Sequence, residues 1–270
     1  MVAEKIHAAL YVLEQDDERK DVKASQVSDN MTISVLKLLS LLTLICFFNA
    51  DVFAQAKNNA WFRGTMAYKV STQLTADIEV QHRRQSGFTD HMILGHNLMY
   101  SLRTWLHYLP ANELKISISP FARFSHYRII EKAEDEIYAP GKETRFSIAA
   151  LWQKGLFARF SLINRNAIEY RMLSNQSRNI VRWRNRAGLQ YNIKPGLSFL
   201  LYDEVFVNAA GVQPGHLVDH NRLGTHFECK CLSQLKAEFG YIYINRLPLS
   251  GTNWLKENNL MLNITFDLPN

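Results

Sequence analysis

The stretch VRWRNRAGLQY, residues 181–191, alternates polar and apolar side chains with a period of two. This period places successive side chains on opposite faces of a β-strand. One face therefore carries Arg182, Arg184 and Arg186, while the opposite face is mainly apolar. The pattern predicts a strand with a strongly basic face.

The segments on either side of this strand continue the alternation. Before it, Arg165, Glu169 and Arg171 oppose apolar positions, and after it Glu204 opposes Leu201. The connections between the three strands are short, which predicts an antiparallel meander. A soluble sandwich would bury the apolar face in a core, whereas a membrane barrel would turn it to lipid and enclose the charges.

The rest of the chain favours the barrel. Eight further segments have strand periodicity, near residues 61–70, 74–83, 92–104, 114–127, 143–153, 221–231, 235–246 and 260–268. Strands of about ten residues are longer than the ~5–6 usual in soluble sheets and close to the ~9–11 that cross a membrane. The count is eleven; because bacterial barrels have even strand numbers, ten or twelve strands are also compatible.

The connections alternate in length. Tight turns are predicted near residues 109–112, 154–155, 194–196 and 232–234, and longer polar loops near 85–91, 130–142, 209–219 and 247–257. This asymmetry is typical of outer-membrane barrels. The predicted fold is all-β, a single closed antiparallel up-and-down transmembrane β-barrel of about 10–12 strands.

Two details of this prediction concern individual side chains. Alternation in the fourth segment places Arg123 inward and Phe124 outward. Tryptophans near strand ends, among them Trp61 and Trp105, are predicted to form aromatic girdles at the membrane interfaces.

The N-terminal part predicts export. Residues 31–55 contain Lys37, an apolar run and a small-residue site before Gln55, which is the pattern of a secretory signal peptide. The apolar run is short for a transmembrane helix, which needs ~20 residues. Residues 1–30 are polar and acidic and are interpreted as a non-native or disordered extension, leaving residues 56–270 as the barrel domain.

Five motifs carry a family resemblance. They are Arg165-x-Ala167-x-Glu169-x-Arg171, Arg182-x-Arg184-x-Arg186, the run from Tyr202 to Asn208, Asn221-Arg222-Leu223-Gly224 and Glu238-Phe239-Gly240-Tyr241. In this order they resemble the domain-of-unknown-function 2490 family (DUF2490), and the resemblance covers most of residues 61–268. The motifs are short, so their order carries the specificity. The resemblance implies a secreted bacterial outer-membrane β-barrel and no established activity.

The inward face defines the candidate site. Its predicted lumen-lining residues are Arg165, Glu169, Arg171, Arg182, Arg184, Arg186, Glu204, Arg222 and Glu228. One interpretation is a structural ladder in which Glu169 and Glu204 pair with arginines and fix the register. The other is a path that favours small anionic solutes, which the excess of arginine supports.

Other functional classes have weaker support. No Gly-x-Ser-x-Gly or His-x-Ser motif occurs, so we expect no enzyme, with an outer-membrane lipid hydrolase as an alternative. We expect no cofactor and no metal site, although His216, Asp219 and His220 share one predicted loop. The arginines stand at strand spacing, which argues against nucleic-acid binding. The expected partners are outer-membrane lipid and small anionic solutes; the competing class is a soluble periplasmic barrel or sandwich that binds a ligand.

We predict that the exported protein is cleaved next to Ala54-Gln55 and reaches the bacterial outer membrane, because the segment 31–55 has the features of a signal peptide. N-terminal sequencing of protein purified from the native envelope should find a chain that begins near Gln55. A mature chain that begins at Met1 would contradict the prediction.

Overall fold

The computed structural model describes residues 56–90, 92–249 and 253–269, which belong to one compact unit. The predicted extension (1–30) and signal peptide (31–55) lie outside the described residues. Eleven strands are present: β1 Lys57–Lys69, β2 Leu74–Gln85, β3 His96–Ala111, β4 Leu114–His126, β5 Gly141–Phe157, β6 Phe160–Leu173, β7 Ile180–Lys194, β8 Leu197–Ala210, β9 Val218–Lys230, β10 Leu235–Arg246 and β11 Leu255–Asp267. Short 3₁₀ helices, Ala133–Ile137 and Pro214–His216, lie in two of the loops.

The strands form a single closed barrel, as predicted. Each strand from β1 to β10 pairs antiparallel with the next one in the chain, and β1 then pairs with β11 to close the ring. This last pair is parallel. An odd number of strands that alternate in direction leaves the first and last running the same way, so the parallel pair follows from the count of eleven. Within the described part of the chain, no helix is long and apolar enough to span a membrane.

The connections also follow the predicted alternation. One end of the barrel, the turn end, has short connections at residues 70–73, 112–113, 158–159, 195–196 and 231–234. The other, the loop end, has longer ones at residues 86–95, 127–140, 174–179, 211–217 and 247–254. Gly196 illustrates the chemistry of the tight turns, since its φ of 78° is readily adopted only by glycine.

The outer face of the barrel is apolar. Ile118, Ile148 and Ile168 are consecutive cross-strand partners on β4, β5 and β6, and their exposures are 48%, 50% and 54%. Trp183 continues the row on β7 and is also exposed. Water disfavours such a continuous apolar band, whereas lipid accommodates it. The exterior therefore has the character of a membrane barrel.

A bulge in β4 reverses the predicted faces of two residues. The register shifts between Ser119 and Ala122, across the segment that contains Pro120. Proline has no N–H to donate to a neighbouring strand, and bulges are a common place for it. Beyond the bulge Phe124 points inward, where it is 4% exposed, and Arg123 points outward. The prediction of Arg123 inward and Phe124 outward is wrong for this reason.

A buried amide network joins the two parallel strands that close the barrel. Asn59 of β1 donates from Nδ2 to Glu257 Oε2 and to Asn259 Oδ1 of β11, both at 3.0 Å. Asn259 in turn donates to the Ile242 carbonyl oxygen of β10. The side chains of Asn59, Glu257 and Asn259 are fully buried. The network pins the register of β1 against β11.

We predict that Ile148→Arg destabilises the folded barrel in lipid by ~2–4 kcal/mol, because it places a charge in the middle of the apolar band. Leu232→Arg, in the β9–β10 turn, is the matched control and should cost at most ~1 kcal/mol. Urea unfolding in lipid vesicles measures both free energies. Equal effects of the two variants would contradict a lipid-facing position for Ile148.

Candidate functional site

The inward faces of β5 to β9 form a ladder of ion pairs in which carboxylates lie against the wall. Glu169 of β6 is 1% exposed and accepts hydrogen bonds from Arg182, whose Nε is 2.9 Å from Oε2. Arg145 and Arg184 approach its other oxygen at 3.5 and 3.7 Å. One buried carboxylate is therefore held by three arginines from two neighbouring strands.

Glu204 of β8 repeats this arrangement. It is fully buried and accepts hydrogen bonds from Arg184 Nε at 2.5 Å and from Arg186 Nε at 2.9 Å. Arg222 of β9 lies 3.7 Å from its second oxygen. Because Arg184 contacts both Glu169 and Glu204, it joins the two clusters into one ladder.

Glu143 of β5 extends the ladder toward the loop end. It is 1% exposed, and Arg171 donates to its two oxygens from Nε and Nη2, each at 2.9 Å. This two-point geometry matches the fork of the guanidinium to the carboxylate. Arg145 Nε adds a contact of 2.6 Å, and His126 Nε2 lies 2.9 Å from Oε2.

Two further carboxylates that bind arginines lie in strands, although the sequence predicted loops at their positions. Asp219 stands at a bulge in β9, where its Oδ2 accepts a hydrogen bond of 2.5 Å from Arg182. Glu257 lies near the start of β11 and accepts one of 2.6 Å from Arg246. Asn263 of β11 faces the lumen, and Glu257 lies six residues before it on the same strand. Because alternate residues share a face, strand alternation would have placed Glu257 inward as well. Strand alternation does not predict the inward position of Asp219, because the bulge shifts this residue by one position.

The predicted site residues occupy three kinds of position. Those in the ion-pair ladder are Glu169, Arg171, Arg182, Arg184, Arg186, Glu204 and Arg222. Arg165 lines the lumen and forms no ion pair with a carboxylate of the described residues. Glu228 lies near the turn end, where its side chain is exposed.

The ladder surrounds a lumen cavity of about 1270 Å³. Of the described residues, twelve arginines and three lysines line this cavity, against six aspartates and glutamates. Glu143, Glu169, Glu204 and Glu257 are not among its lining residues, because they are buried behind the arginines that bind them. The surface that a solute in the lumen meets is therefore strongly basic.

Two tryptophans predicted for the membrane girdles lie in the lumen instead. Trp61 and Trp105 are 3% and 8% exposed and line the cavity. The guanidinium carbon of Arg83 lies 3.5 Å from the Trp61 ring centroid, and that of Arg103 lies 5.1 Å from the Trp105 ring. The girdle prediction is wrong for these two residues, whose rings stack with arginines.

Of the twelve arginines that line the cavity, Arg83, Arg103 and Arg165 stand outside the ion pairs of the described residues. Within the described ranges, none of them forms an ion pair, and each has a buried guanidinium nitrogen without a hydrogen-bond partner. All three line the cavity. Their remaining N–H groups are available to an acceptor from outside the chain.

Tyr202 narrows the lumen beside the ladder. Its ring is 3% exposed and lies over Gly224 of β9, where an added side chain would collide with the ring. The guanidinium of Arg186 stacks at 4.3 Å from the ring centroid. Glycine at position 224 thus makes room for an aromatic platform that holds Arg186 in place.

His216, Asp219 and His220, which share one predicted loop, are not arranged around a common metal position. His220 Nδ1 lies 3.2 Å from Asp219, and its ring stacks on Phe206 with centroids 3.8 Å apart. In the part of the chain that the structure describes, no group of three or more histidine, cysteine, aspartate or glutamate residues is arranged to hold a metal ion. His220 acts as a packed aromatic neighbour of the ladder.

The fold and the lumen define a closed β-barrel with a polar, arginine-lined interior. The model of one family, described as a protein of unknown function (DUF2490), matches residues 58–254. The chain belongs to this family. No curated protein matches the sequence.

Three solved structures are similar to parts of this chain. A structure titled as a NanC porin is 9% identical, with a TM-score of 0.44, and the match covers 78% of this chain and 98% of that one. A bacterial polysaccharide outer membrane secretin is 11% identical, with a TM-score of 0.43 and coverage of 72% and 64%. An anion-selective porin from Comamonas acidovorans is 7% identical, with a TM-score of 0.32 and coverage of 71% and 55%. At these values the similarities are not evidence about function.

We predict that Glu169→Gln destabilises the barrel by ~3–5 kcal/mol, because it removes the buried carboxylate that Arg145, Arg182 and Arg184 share and leaves an uncompensated positive charge in the ladder. The loss of stability is measured by thermal unfolding in detergent, with the heat-dependent shift in gel mobility as the readout. Glu228→Gln removes the same charge at an exposed position near the turn end and should change stability by less than ~1 kcal/mol. Equal stability of the two variants would show that the ladder is not structural.

Proposed function

We propose that the protein is an outer-membrane β-barrel whose lumen is a narrow path for small anionic solutes. The observation that carries this proposal is the excess of cationic over acidic side chains around the cavity, twelve arginines and three lysines against six acids. A lumen lined by one sign of charge concentrates ions of the opposite sign and excludes its own.

The placement in a membrane is supported by the two faces of the strands. The outward face carries exposed apolar residues such as Ile78 and Val80, while the inward face of the same strand carries Asp77, Glu79 and Gln81. A soluble barrel would reverse this arrangement, with apolar side chains inside and polar ones in water. Recovery of the folded protein in the soluble periplasmic fraction without detergent would contradict the placement.

The chemistry of the solute follows from the arginines that remain available. Arg83, Arg103 and Arg165 line the cavity and form no ion pair within the described residues, and guanidinium groups pair most strongly with planar carboxylates and with phosphates. Trp61 and Trp105 provide flat apolar surfaces beside these donors. Small carboxylates or phosphates that also carry an apolar or ring portion fit this lining.

The ladder and the path use different arginines in this proposal. Arg182, Arg184 and Arg186 belong to the predicted lumen lining, but each of them is paired with Glu169, Glu204 or Asp219. Their positive charge is largely compensated within the wall. The solute therefore responds most to Arg83, Arg103 and Arg165, which form no ion pair within the described residues.

We predict that the double variant Arg103→Gln, Arg165→Gln lowers the anion-to-cation permeability ratio by about twofold or more, because it removes two uncompensated charges from the lumen. Reversal potentials in a planar bilayer with a salt gradient measure the ratio. Arg123→Gln is the matched control, since Arg123 points away from the lumen and is exposed. Unchanged selectivity of the double variant, or absence of conductance in the wild-type protein, would contradict the anion path.

A further inference from the structure

Three adjacent strands bring an aspartate, a histidine and a serine together on the lumen wall near the turn end. Asp77 lies on β2, His107 on β3 and Ser117 on β4. His107 and Ser117 are cross-strand partners, with the ring Nδ1 2.7 Å from the Ser117 hydroxyl oxygen. On the other side of the ring, His107 Nε2 lies 3.0 Å from Asp77 Oδ2.

The two hydrogen-bond partners favour one tautomer of the neutral histidine ring. A carboxylate accepts, so the neutral ring donates from Nε2 to Asp77 and keeps a lone pair on Nδ1. That lone pair faces the hydroxyl of Ser117, which donates to it. This is the order of contacts that activates a serine: an acid orients a base, and the base faces the nucleophile.

The three residues line the lumen cavity rather than a closed core. Their environment also distinguishes Ser117 from the other serines on the wall. Ser119, two residues along β4, donates to the Phe121 carbonyl oxygen, and the hydroxyls of Ser101 and Ser147 have no protein partner. Among the described residues, Ser117 is the serine whose hydroxyl contacts a histidine.

We propose that Ser117 is the nucleophile of a Ser-His-Asp site that hydrolyses small carboxylic esters entering the lumen. The Ser117 oxygen bonds to the carbonyl carbon while His107 takes the hydroxyl proton. The bond from that carbon to the alcohol oxygen then breaks, and His107 returns the proton to the departing alcohol. Water attacks the acyl-serine in the same way, which releases the carboxylic acid and restores the hydroxyl.

The negative charge on the carbonyl oxygen needs a donor that the strand backbone does not supply, since its N–H groups are used between strands. Lys115 is two residues before Ser117 on the same face of β4 and lines the cavity. Arg165 stands in the same cross-strand row as Lys115, with Leu151 between them, and its Nη1 has no hydrogen-bond partner. Lys115 and Arg165 are the cations to which we assign stabilisation of that charge, and they favour, without requiring, esters that also carry an anionic group.

The test uses the full barrel in detergent with phenylmethylsulfonyl fluoride, a small reagent that sulfonylates activated serines. We expect one adduct, located by mass spectrometry of the peptide that contains Ser117, and hydrolysis of p-nitrophenyl acetate that the adduct abolishes. Ser117→Ala should remove the adduct and the hydrolysis. Ser119→Ala, the matched control on the same face of β4, should keep both.

Variants of His107 and Asp77 test whether these residues act in catalysis or only hold neighbouring strands together by hydrogen bonds. His107→Gln retains hydrogen-bonding capacity but no base, so hydrolysis should fall by about 100-fold. Asp77→Asn should give a smaller loss and change the pH dependence of the remaining rate. Ser117→Cys should restore a nucleophile at the same position and react with the ester.

Each variant is first checked for a folded barrel by its heat-dependent gel shift. Wild-type protein that forms no adduct, or an adduct that survives in Ser117→Ala, would overturn the proposal. Loss of both reactions in Ser119→Ala would also count against it. The readouts do not depend on ion conductance, so the outcome is independent of the anion path.

Discussion

The structure depends on carboxylates that are buried against the barrel wall and held by several arginines each. A carboxylate removed from water is strongly destabilising unless donors replace its hydration. Glu169 and Glu204 are almost fully buried, and each meets this requirement through contacts with three arginines. Because the arginines come from β5, β7 and β9, the correct strand register is a condition for satisfying these acids.

The same pairing creates the basic surface of the lumen. Glutamate is short and only accepts hydrogen bonds, so it sits close to the wall, whereas arginine is long and has five N–H donors. An arginine that binds a wall carboxylate with two N–H groups still presents others to the cavity. A ladder that is nearly balanced in charge therefore exposes mainly its cationic half, which agrees with the residues that line the cavity.

Strand alternation was sufficient to predict a closed barrel of about 10–12 strands and most of the inward face of β6 to β9. It failed where a bulge changes the parity, as at Phe124 and Asp219. A bulge is determined jointly by two strands, so neither sequence segment reveals it alone. Pro120 was a signal that could have suggested the one in β4.

The proposed Ser-His-Asp site was beyond sequence reasoning for a related reason. Asp77, His107 and Ser117 are separated by 30 and 10 positions, and no local motif joins them. They meet because β2 pairs with β3, and β3 with β4, in registers that place these three positions side by side. Register over two hairpins must be known before such residues can be seen to lie together.

Closure of an eleven-stranded ring connects barrel formation to the chemistry of the lumen. The parallel pair of β1 and β11 aligns Asn59 with Asn259, and both are bonded to each other across the pair. Glu257 accepts from Asn59 on one side and from Arg246 on the other. The carboxylate that completes the pairing of Arg246 is thus also the one that fixes β1 against β11. Glu257 therefore joins the β10–β11 pair to the closing pair, and a barrel closed in another register would take the Asn59 amide donor away from this buried carboxylate.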